Sequence, residues 1–177
     1  MKKITLVIGG CKSGKSHHAL QLAQKRGSRQ IFIATCVPFD DELKERVARH
    51  KAQRDGAWKT VDVPIDLPQA ISDHDGENTV LLVDCLTLWI NNLLMVSEDK
   101  HTMDEALTNL ILALSGARCP VILVANEVGA GIVPENRLAR LFRDAAGVAN
   151  QRIAAVADRV IYMVAGIPMT IKGEKDG

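Results

Sequence analysis

The chain has almost no excess of charge, because 22 Lys and Arg residues oppose 21 Asp and Glu residues among 177. It also lacks the long basic run that is typical of dedicated nucleic-acid binders, so we expect no nucleic-acid partner. Its longest apolar stretch, residues 81–96, is interrupted by four polar residues and is too short to span a membrane. With 47% apolar and 24% charged residues, the composition predicts a globular protein that binds a small molecule.

The four cysteines, at positions 11, 36, 85 and 119, form no CxxC pair and show no Cys/His spacing that would hold zinc. We therefore expect reduced thiols and a cytoplasmic location. The segment Met1–Ile8 resembles a signal peptide only superficially, because its apolar run is short and enters a glycine-rich segment. We predict that this run is a buried first strand.

Short β-branched segments alternate with segments of helical spacing along the chain. Because these strands are apolar throughout, the pattern is typical of a parallel sheet covered by helices on both faces. Strands are predicted at 4–8, 30–34, 79–84, 120–126 and 159–164, and helices at 15–25, 40–54, 86–96, 103–114 and 135–157. An extra strand at 58–63 and a hairpin at 162–172 would make the sheet mixed. We predict one α/β domain over residues 1–177.

A phosphate-binding motif follows the first predicted strand. The sequence GGCKSGKS matches GxxxxGK[ST] and comprises Gly9, Gly10, Cys11, Lys12, Ser13, Gly14, Lys15 and Ser16. Glycines let backbone N–H groups and a helix N-terminus approach phosphate closely, Lys15 supplies charge to the β and γ phosphates, and Ser16 is placed to ligate Mg²⁺. The alternative is a glycine turn that contains Lys-Ser by chance. The context favours a P-loop (RecA-like) three-layer fold, mostly parallel with a C-terminal antiparallel strand.

Asp84 ends the predicted strand at 79–84 and is the second candidate metal ligand. It could hold Mg²⁺ through water, or it could contact the nucleotide directly. It could also cap the helix that starts near Leu86. The sequence leaves these three roles open.

The predicted helix at 40–54 begins with acidic residues and ends with basic ones, which suits the helix dipole. At 100° per residue, four residues of this helix fall within about 60° of one another and form an inward stripe that starts apolar and ends basic, so an imidazole and a guanidinium share one face. They are Leu43, Val47, His50 and Arg54. His50 could be a structural histidine, or a nucleophile that attacks phosphorus and carries a nucleotidyl group. Lys51 and Arg54 would then neutralise phosphates. Spacing does not decide between the two roles.

A glycine-containing loop at 126–136 follows the strand at 120–126. Loops at the carboxyl ends of parallel strands are where α/β proteins bind ligands. The helix behind it, within 137–151, carries basic residues that suit phosphate or serve only solubility. No catalytic role is assigned to the other histidines, His17, His18, His74 and His101.

Several motifs together resemble the bifunctional adenosylcobinamide kinase/adenosylcobinamide-phosphate guanylyltransferase family. They are GGCKSGKS at 9–16, IAT at 33–35, DDE at 40–42, RHK at 49–51, the strand that ends at Asp84, and NEVGAGIVPENRLARLFRDAAGVANQ at 126–151. The first motif is generic, whereas the last is specific to that family. The resemblance covers essentially the whole chain.

The resemblance implies a role in cobalamin (vitamin B12) biosynthesis. Such enzymes phosphorylate the aminopropanol hydroxyl of adenosylcobinamide with ATP or GTP, then transfer GMP from GTP to that phosphate and release pyrophosphate. It therefore implies Mg²⁺ as cofactor, GTP and ATP as substrates, and a small-molecule acceptor. It also implies a homo-oligomer such as a trimer.

The resemblance further assigns residues. His50 stands where a family histidine becomes guanylylated, and Lys15 joins it as a catalytic residue. Nucleotide contacts are implied for residues 9–16, for Ala34, Thr35 and Cys36, for Lys51, Ala52, Gln53 and Arg54, and for Asp62 and Asp84. Ser16 and Asp84 are the implied metal ligands. A carboxylate accepts two hydrogen bonds from the guanine edge that adenine lacks, so one of the two aspartates could select GTP.

Two other functions remain open. One is a different P-loop small-molecule kinase without nucleotidyl transfer, in which His50 is structural. The other is a RecA-like ATPase or nucleotide switch that acts on a macromolecule. The near-zero net charge counts against a nucleic-acid-dependent switch.

Overall fold

The computed structural model of the chain describes residues 4–27, 29–38, 40–52, 56 and 58–174. Within the second helix it does not describe the side chains at 43, 46, 49, 50 and 52. Of the predicted site, Gln53 and Arg54 therefore lie outside the described residues, as do the side chains of His50 and Ala52.

Seven strands form one mixed sheet. They are β1 (Ile4–Gly9), β2 (Arg29–Ala34), β3 (Trp58–Asp62), β4 (Thr79–Asp84), β5 (Val121–Asn126), β6 (Arg159–Val164) and β7 (Ile167–Lys172). Their order in the sheet is β3-β2-β4-β5-β1-β6-β7. Every pair is parallel except β6 with β7, which is antiparallel. The predicted α/β fold, the extra strand at β3 and the C-terminal hairpin are confirmed.

Six helices occur in the described part of the chain. They are α1 (Lys15–Gln24), α2 (Asp41–Ala52), α3 (Leu67–His74), α4 (Leu86–Val96), α5 (Lys100–Gly116) and α6 (Arg137–Val156). Five of them match predicted helices. Helix α6 begins two residues later than predicted, because the Asn136 side chain accepts a hydrogen bond from the Ala139 N–H at 3.0 Å and caps the first turn.

The sequence analysis missed α3. This helix has only eight residues, and Pro68 lies in its first turn. Proline breaks a helix interior but is tolerated in the first turn, where its missing N–H would have no intrahelical partner. A short helix that begins with proline therefore leaves little periodic signal in the sequence.

Two apolar clusters lie on opposite faces of the sheet. Along β4, Leu81 and Val83 belong to the cluster beneath α3, α4, α5 and α6, whereas Val80 and Leu82 belong to the cluster beneath α1. Successive side chains of a strand point to opposite faces. Because both faces are covered, these strands are apolar at every position, which is the pattern seen in the sequence.

The carboxyl ends of four strands meet at one edge of the sheet. Ala34 pairs with Asp84 across β2 and β4, Asp84 pairs with Val124 of β5, and Gly9 pairs with Asn126 across β1 and β5. The loops that follow these strands therefore share one surface, as in other open parallel sheets that bind ligands. No helix within the described residues is long and apolar enough to cross a bilayer. The single domain over 1–177 stays a prediction.

Candidate functional site

The loop between β1 and α1 encloses the ammonium group of Lys15. Lys15 is buried, and its Nζ donates a hydrogen bond to the Gly10 carbonyl at 2.5 Å and lies 3.5 Å from Ser13 Oγ. Gly14 adopts a φ of 91°, a left-handed conformation that favours glycine and turns the chain into α1. The turn brings the N-terminus of a helix and a positive charge to one place, which suits an anionic phosphate.

Two neighbouring segments hold this loop. The Glu127 N–H, just after β5, donates to the Gly9 carbonyl at 3.0 Å. The Gly166 N–H, in the turn between β6 and β7, donates to the Ser13 carbonyl at 3.1 Å. The loop is thus fixed before any ligand arrives, which lowers the ordering cost of binding a phosphate.

Gly9 is a position where a side chain does not fit. A Cβ there would lie 2.5 Å from the Met163 carbonyl oxygen and 2.8 Å from Ser13 Oγ, whereas a Cβ at Gly10 would meet nothing within 4 Å. We expect Gly9→Ala to weaken nucleotide binding at least about tenfold more than Gly10→Ala, because it displaces the loop backbone. Isothermal titration with GTP checks this difference. Equal affinities would contradict it, with thermal melting as the folding control.

The aspartates that end β3 and β4 lie on either side of Ala34. Asp84 pairs with Ala34 on one side and Asp62 pairs with it on the other. Asp84 lines the cleft beside the phosphate loop. Asp62 is exposed, and its Oδ2 lies 4.0 Å from Lys51 Nζ, which links the end of α2 to the edge strand β3.

Thr35 joins the end of β2 to the start of α4. Its hydroxyl is fully buried, donates to the Cys85 carbonyl at 2.8 Å and accepts from the Cys85 N–H at 2.9 Å. The Asn92 side chain donates to the Thr35 carbonyl at 2.7 Å. The Thr35 hydroxyl therefore makes its hydrogen bonds within the protein. Ala34 and Cys36, on either side of it, line the cleft.

The phosphate loop, the strand ends and α2 enclose a cleft of about 460 Å³. The predicted residues that line it are Cys11, Lys12, Ser13, Gly14, Lys15, Ser16, Ala34, Cys36, Lys51 and Asp84. Helix α2 contributes Val47 and Lys51 to the cleft lining, and these two residues are four apart and so lie on one face of the helix. The helix that carries His50 therefore forms one side of the cleft.

The sequence analysis did not assign seven further residues that line the cleft. They are His17, Phe32, Val47, Cys85, Leu88, Val124 and Asn126. Asn126 could have been found, because it ends a buried strand in the same way as Asp84. Its N–H donates to Thr87 Oγ1 at 2.7 Å and its carbonyl accepts from Asn150 Nδ2 at 3.2 Å, so its backbone is held at the cleft. Val47 lies on the predicted inward stripe of the helix at 40–54, and His17 directly follows the phosphate-binding motif. The other four give no local signal.

Three cysteines line the cleft in different environments. Cys11 is exposed, Cys36 is half-buried and Cys85 is buried, and all are free thiols. Burial, helped by the nearby carboxylate of Asp84, raises the pKa of Cys85 to about 12. Cys85 is therefore a neutral thiol at physiological pH and contributes to the cleft wall as an apolar group.

Comparison with known proteins identifies the family. The model of the family described as cobinamide kinase / cobinamide phosphate guanyltransferase matches residues 5–171. The bifunctional adenosylcobalamin biosynthesis protein CobP of Pseudomonas aeruginosa is 40% identical over 169 residues, which covers 96% of this chain and 97% of that protein. The corresponding protein CobU of Salmonella typhimurium is 42% identical over 179 residues, which covers 94% of this chain and 98% of that protein.

A solved structure supports the fold independently. The crystal structure of the RadB recombinase aligns with a TM-score of 0.55 and covers 90% of this chain and 73% of that chain, at 16% sequence identity. This likeness bears on the fold alone and confirms the predicted P-loop (RecA-like) three-layer architecture. Since the family model and two relatives each span nearly the entire chain, this protein belongs to the cobinamide kinase / cobinamide phosphate guanyltransferase family.

Proposed function

We propose that this chain phosphorylates adenosylcobinamide with ATP or GTP and then transfers GMP from GTP to the resulting phosphate in cobalamin biosynthesis. Family membership supports both reactions. The observation that carries the proposal is the cleft itself. It is lined both by the phosphate loop around Lys15 and by α2, the helix that contains His50.

In the proposed kinase step, the aminopropanol hydroxyl oxygen attacks the γ phosphorus of the nucleoside triphosphate. The bond from the γ phosphorus to the bridging oxygen breaks, the nucleoside diphosphate leaves, and the hydroxyl proton passes to solvent or to a carboxylate. The protein supplies positioning and charge: Lys15 and the loop N–H groups stabilise the negative charge on the phosphoryl oxygens.

In the proposed transfer step, a neutral nitrogen of His50 attacks the α phosphorus of GTP. The bond between the α phosphorus and the bridging oxygen breaks, and pyrophosphate leaves from the phosphate loop. A phosphate oxygen of adenosylcobinamide phosphate then attacks the same phosphorus, the P–N bond breaks, and adenosylcobinamide-GDP forms. Position 50 is one helical turn from Val47, which lines the cleft, and this placement supports the assignment.

We propose that Lys51 and Arg54 neutralise phosphate charge beside His50. Lys51 lines the cleft, and its contact with the exposed Asp62 at 4.0 Å is too long and too solvated to hold it firmly. Its ammonium can therefore turn to a bound triphosphate. Asp62, as an exposed carboxylate at the end of β3, is the proposed acceptor for the N1–H and N2–H₂ groups of guanine.

Mg²⁺ is the proposed metal. The hydroxyl of Ser16 and the carboxylate of Asp84 both line the cleft, and hard oxygen donors of this kind suit Mg²⁺. When bound, Mg²⁺ would neutralise phosphate charge and orient the triphosphate. Few protein ligands are needed, because substrate phosphates and water complete the octahedral shell of such ions.

We further propose that the protein acts in the cytoplasm as a homo-oligomer, such as a trimer, on small molecules and not on nucleic acid. Four free cysteines support the compartment, since thiols persist where the environment is reducing. A cleft of about 460 Å³ cannot enclose a complete corrinoid together with a nucleotide, so a second subunit is a natural source of further binding surface.

The test is a reaction of the purified chain with adenosylcobinamide and Mg²⁺, first with ATP and then with GTP. We expect adenosylcobinamide phosphate with ATP alone and adenosylcobinamide-GDP plus pyrophosphate once GTP is present, resolved by chromatography and ³¹P NMR. Formation of adenosylcobinamide phosphate without adenosylcobinamide-GDP would reduce the function to that of a kinase. Loss of both products would overturn the proposal.

A further inference from the structure

The loop that links β5 to α6 is held at both of its ends. Near its start, the Glu127 carboxylate accepts from the Gly129 N–H at 2.6 Å, and Arg143 Nη2 donates to the Gly129 carbonyl at 2.7 Å. Near its end, Arg140 Nη1 donates to the Pro134 carbonyl at 3.0 Å. The tip between these anchors is therefore presented in a defined position.

That tip carries two apolar side chains into solvent. Ile132 is 96% exposed and Val133 is 62% exposed. Apolar surface in water is unfavourable. Exposed apolar patches often mark a surface that a ligand or a partner covers.

A second exposed apolar surface lies on the outer side of α4. Leu88 and Met95 are seven residues apart, so they lie on the same face two turns apart, and Met95 is 61% exposed. Asn92, between them, bonds to the carbonyl of Thr35. This bond ties α4 to the segment after β2, where Val37, two residues after Thr35, is 49% exposed.

Ion pairing and hydrogen bonding connect the two surfaces to the cleft. Arg137 Nη1 pairs with Glu98 Oε2 at 2.6 Å, which ties the end of the loop to the segment just after α4. The start of the loop is tied to the phosphate loop through the Glu127 N–H, and Leu88 itself lines the cleft. We call the resulting surface the apolar rim; its members are Val37, Leu88, Met95, Val96, Ile132 and Val133.

We propose that the apolar rim is the docking surface for the corrin ring of the acceptor substrate. This inference rests on the proposed function, because the acceptor must place its phosphate or hydroxyl in the cleft while its macrocycle stays outside. A corrin has broad apolar faces and carboxamide side chains at its periphery. The rim offers apolar side chains next to the amide of Asn91 on α4, which can pair with carboxamides.

Position favours a substrate over a second copy of the chain as the occupant. Strand β7, at the far edge of the sheet, carries another row of exposed apolar side chains, Ile167, Met169 and Ile171. None of these three β7 residues lines the cleft, whereas the rim includes Leu88, which does. A surface used only for self-association would need no continuity with the nucleotide site.

The experiment measures binding and assembly together. The double variant Met95→Ser/Ile132→Ser removes apolar area from both walls of the rim. Its matched control, Met169→Ser/Ile171→Ser, removes the same side-chain types from β7. Equilibrium dialysis with adenosylcobinamide gives the Kd of each protein without nucleotide, titration with GTP gives nucleotide affinity, and light scattering gives the molar mass.

We expect the rim variant to bind adenosylcobinamide at least about tenfold more weakly than wild type, with GTP affinity and molar mass unchanged and the control like wild type. Unchanged corrinoid affinity in the rim variant would overturn the proposal. A fall in molar mass that accompanies the loss would also overturn it, by assigning the rim to a contact between copies. Wild-type protein that binds the corrinoid at the rim but makes no product would instead contradict the proposed function alone.

Discussion

Lys15→Ala is expected to lower kcat/KM for both the kinase and the transfer reaction about 100- to 1,000-fold. The ammonium group is buried within the phosphate loop and hydrogen-bonded to the Gly10 carbonyl, so its charge acts on phosphate where water screens it little. Removing it leaves the charge that develops on the phosphoryl oxygens without its main cation. Steady-state assays of each half of the reaction measure the loss.

The control for this variant is Lys12→Ala. Lys12 belongs to the same loop and lines the same cleft, but it is exposed and its charge is screened. We expect it to cost less than about tenfold in either reaction. Equal losses from Lys12→Ala and Lys15→Ala would contradict the assignment of Lys15, and circular dichroism would show whether either variant is unfolded.

His50→Ala is expected to abolish GMP transfer, a loss of at least about 1,000-fold, and to leave phosphorylation of adenosylcobinamide within about threefold of wild type. The reason is that, in the proposed mechanism, only the transfer reaction uses a covalent intermediate on His50. Separate assays for adenosylcobinamide phosphate and for adenosylcobinamide-GDP give the rates of the two reactions.

A second histidine provides the comparison. His101 lies near the start of α5, is exposed, and has its Nε2 3.6 Å from Glu105 Oε1. His101→Ala is expected to leave both reactions unchanged. If His50→Ala kept full transfer activity, or lost both activities equally, the separate roles of Lys15 and His50 would be wrong and a plain P-loop kinase would describe the protein better.

The sequence predicts most of the fold because a strand that is buried on both faces of the sheet is a recognisable apolar run in the sequence. Strands β1, β4 and β5 are apolar at nearly every position, and the residue that follows each apolar run is polar or glycine. The hairpin of β6 and β7 was predictable from its short turn. Helix α3 was not, because eight residues that begin with a proline turn give too little periodicity.

The site residues that belong to a chemically required motif could be predicted from the sequence. The residues that reach the cleft only through the packing of distant segments could not. Residues 9–16 and Asp84 lie at strand ends that the sequence marks clearly. Leu88 and Val124 reach the cleft only because the strand order places β4 and β5 between β2 and β1, and the linear sequence does not state that order. Thr35 is predicted to contact the nucleotide, and the structure adds that its hydroxyl bonds to the Cys85 backbone, a contact that the linear sequence does not indicate.

The central claim is that one cleft performs both phosphoryl transfer and nucleotidyl transfer through His50. The most direct test is the intact mass of the protein after incubation with Mg²⁺-GTP, beside Mg²⁺-ATP and beside His50→Ala. We expect an acid-labile mass increase of one GMP with GTP alone, absent from the His50→Ala protein. A folded protein that binds GTP and gains no such mass, or gains it without His50, would contradict the account.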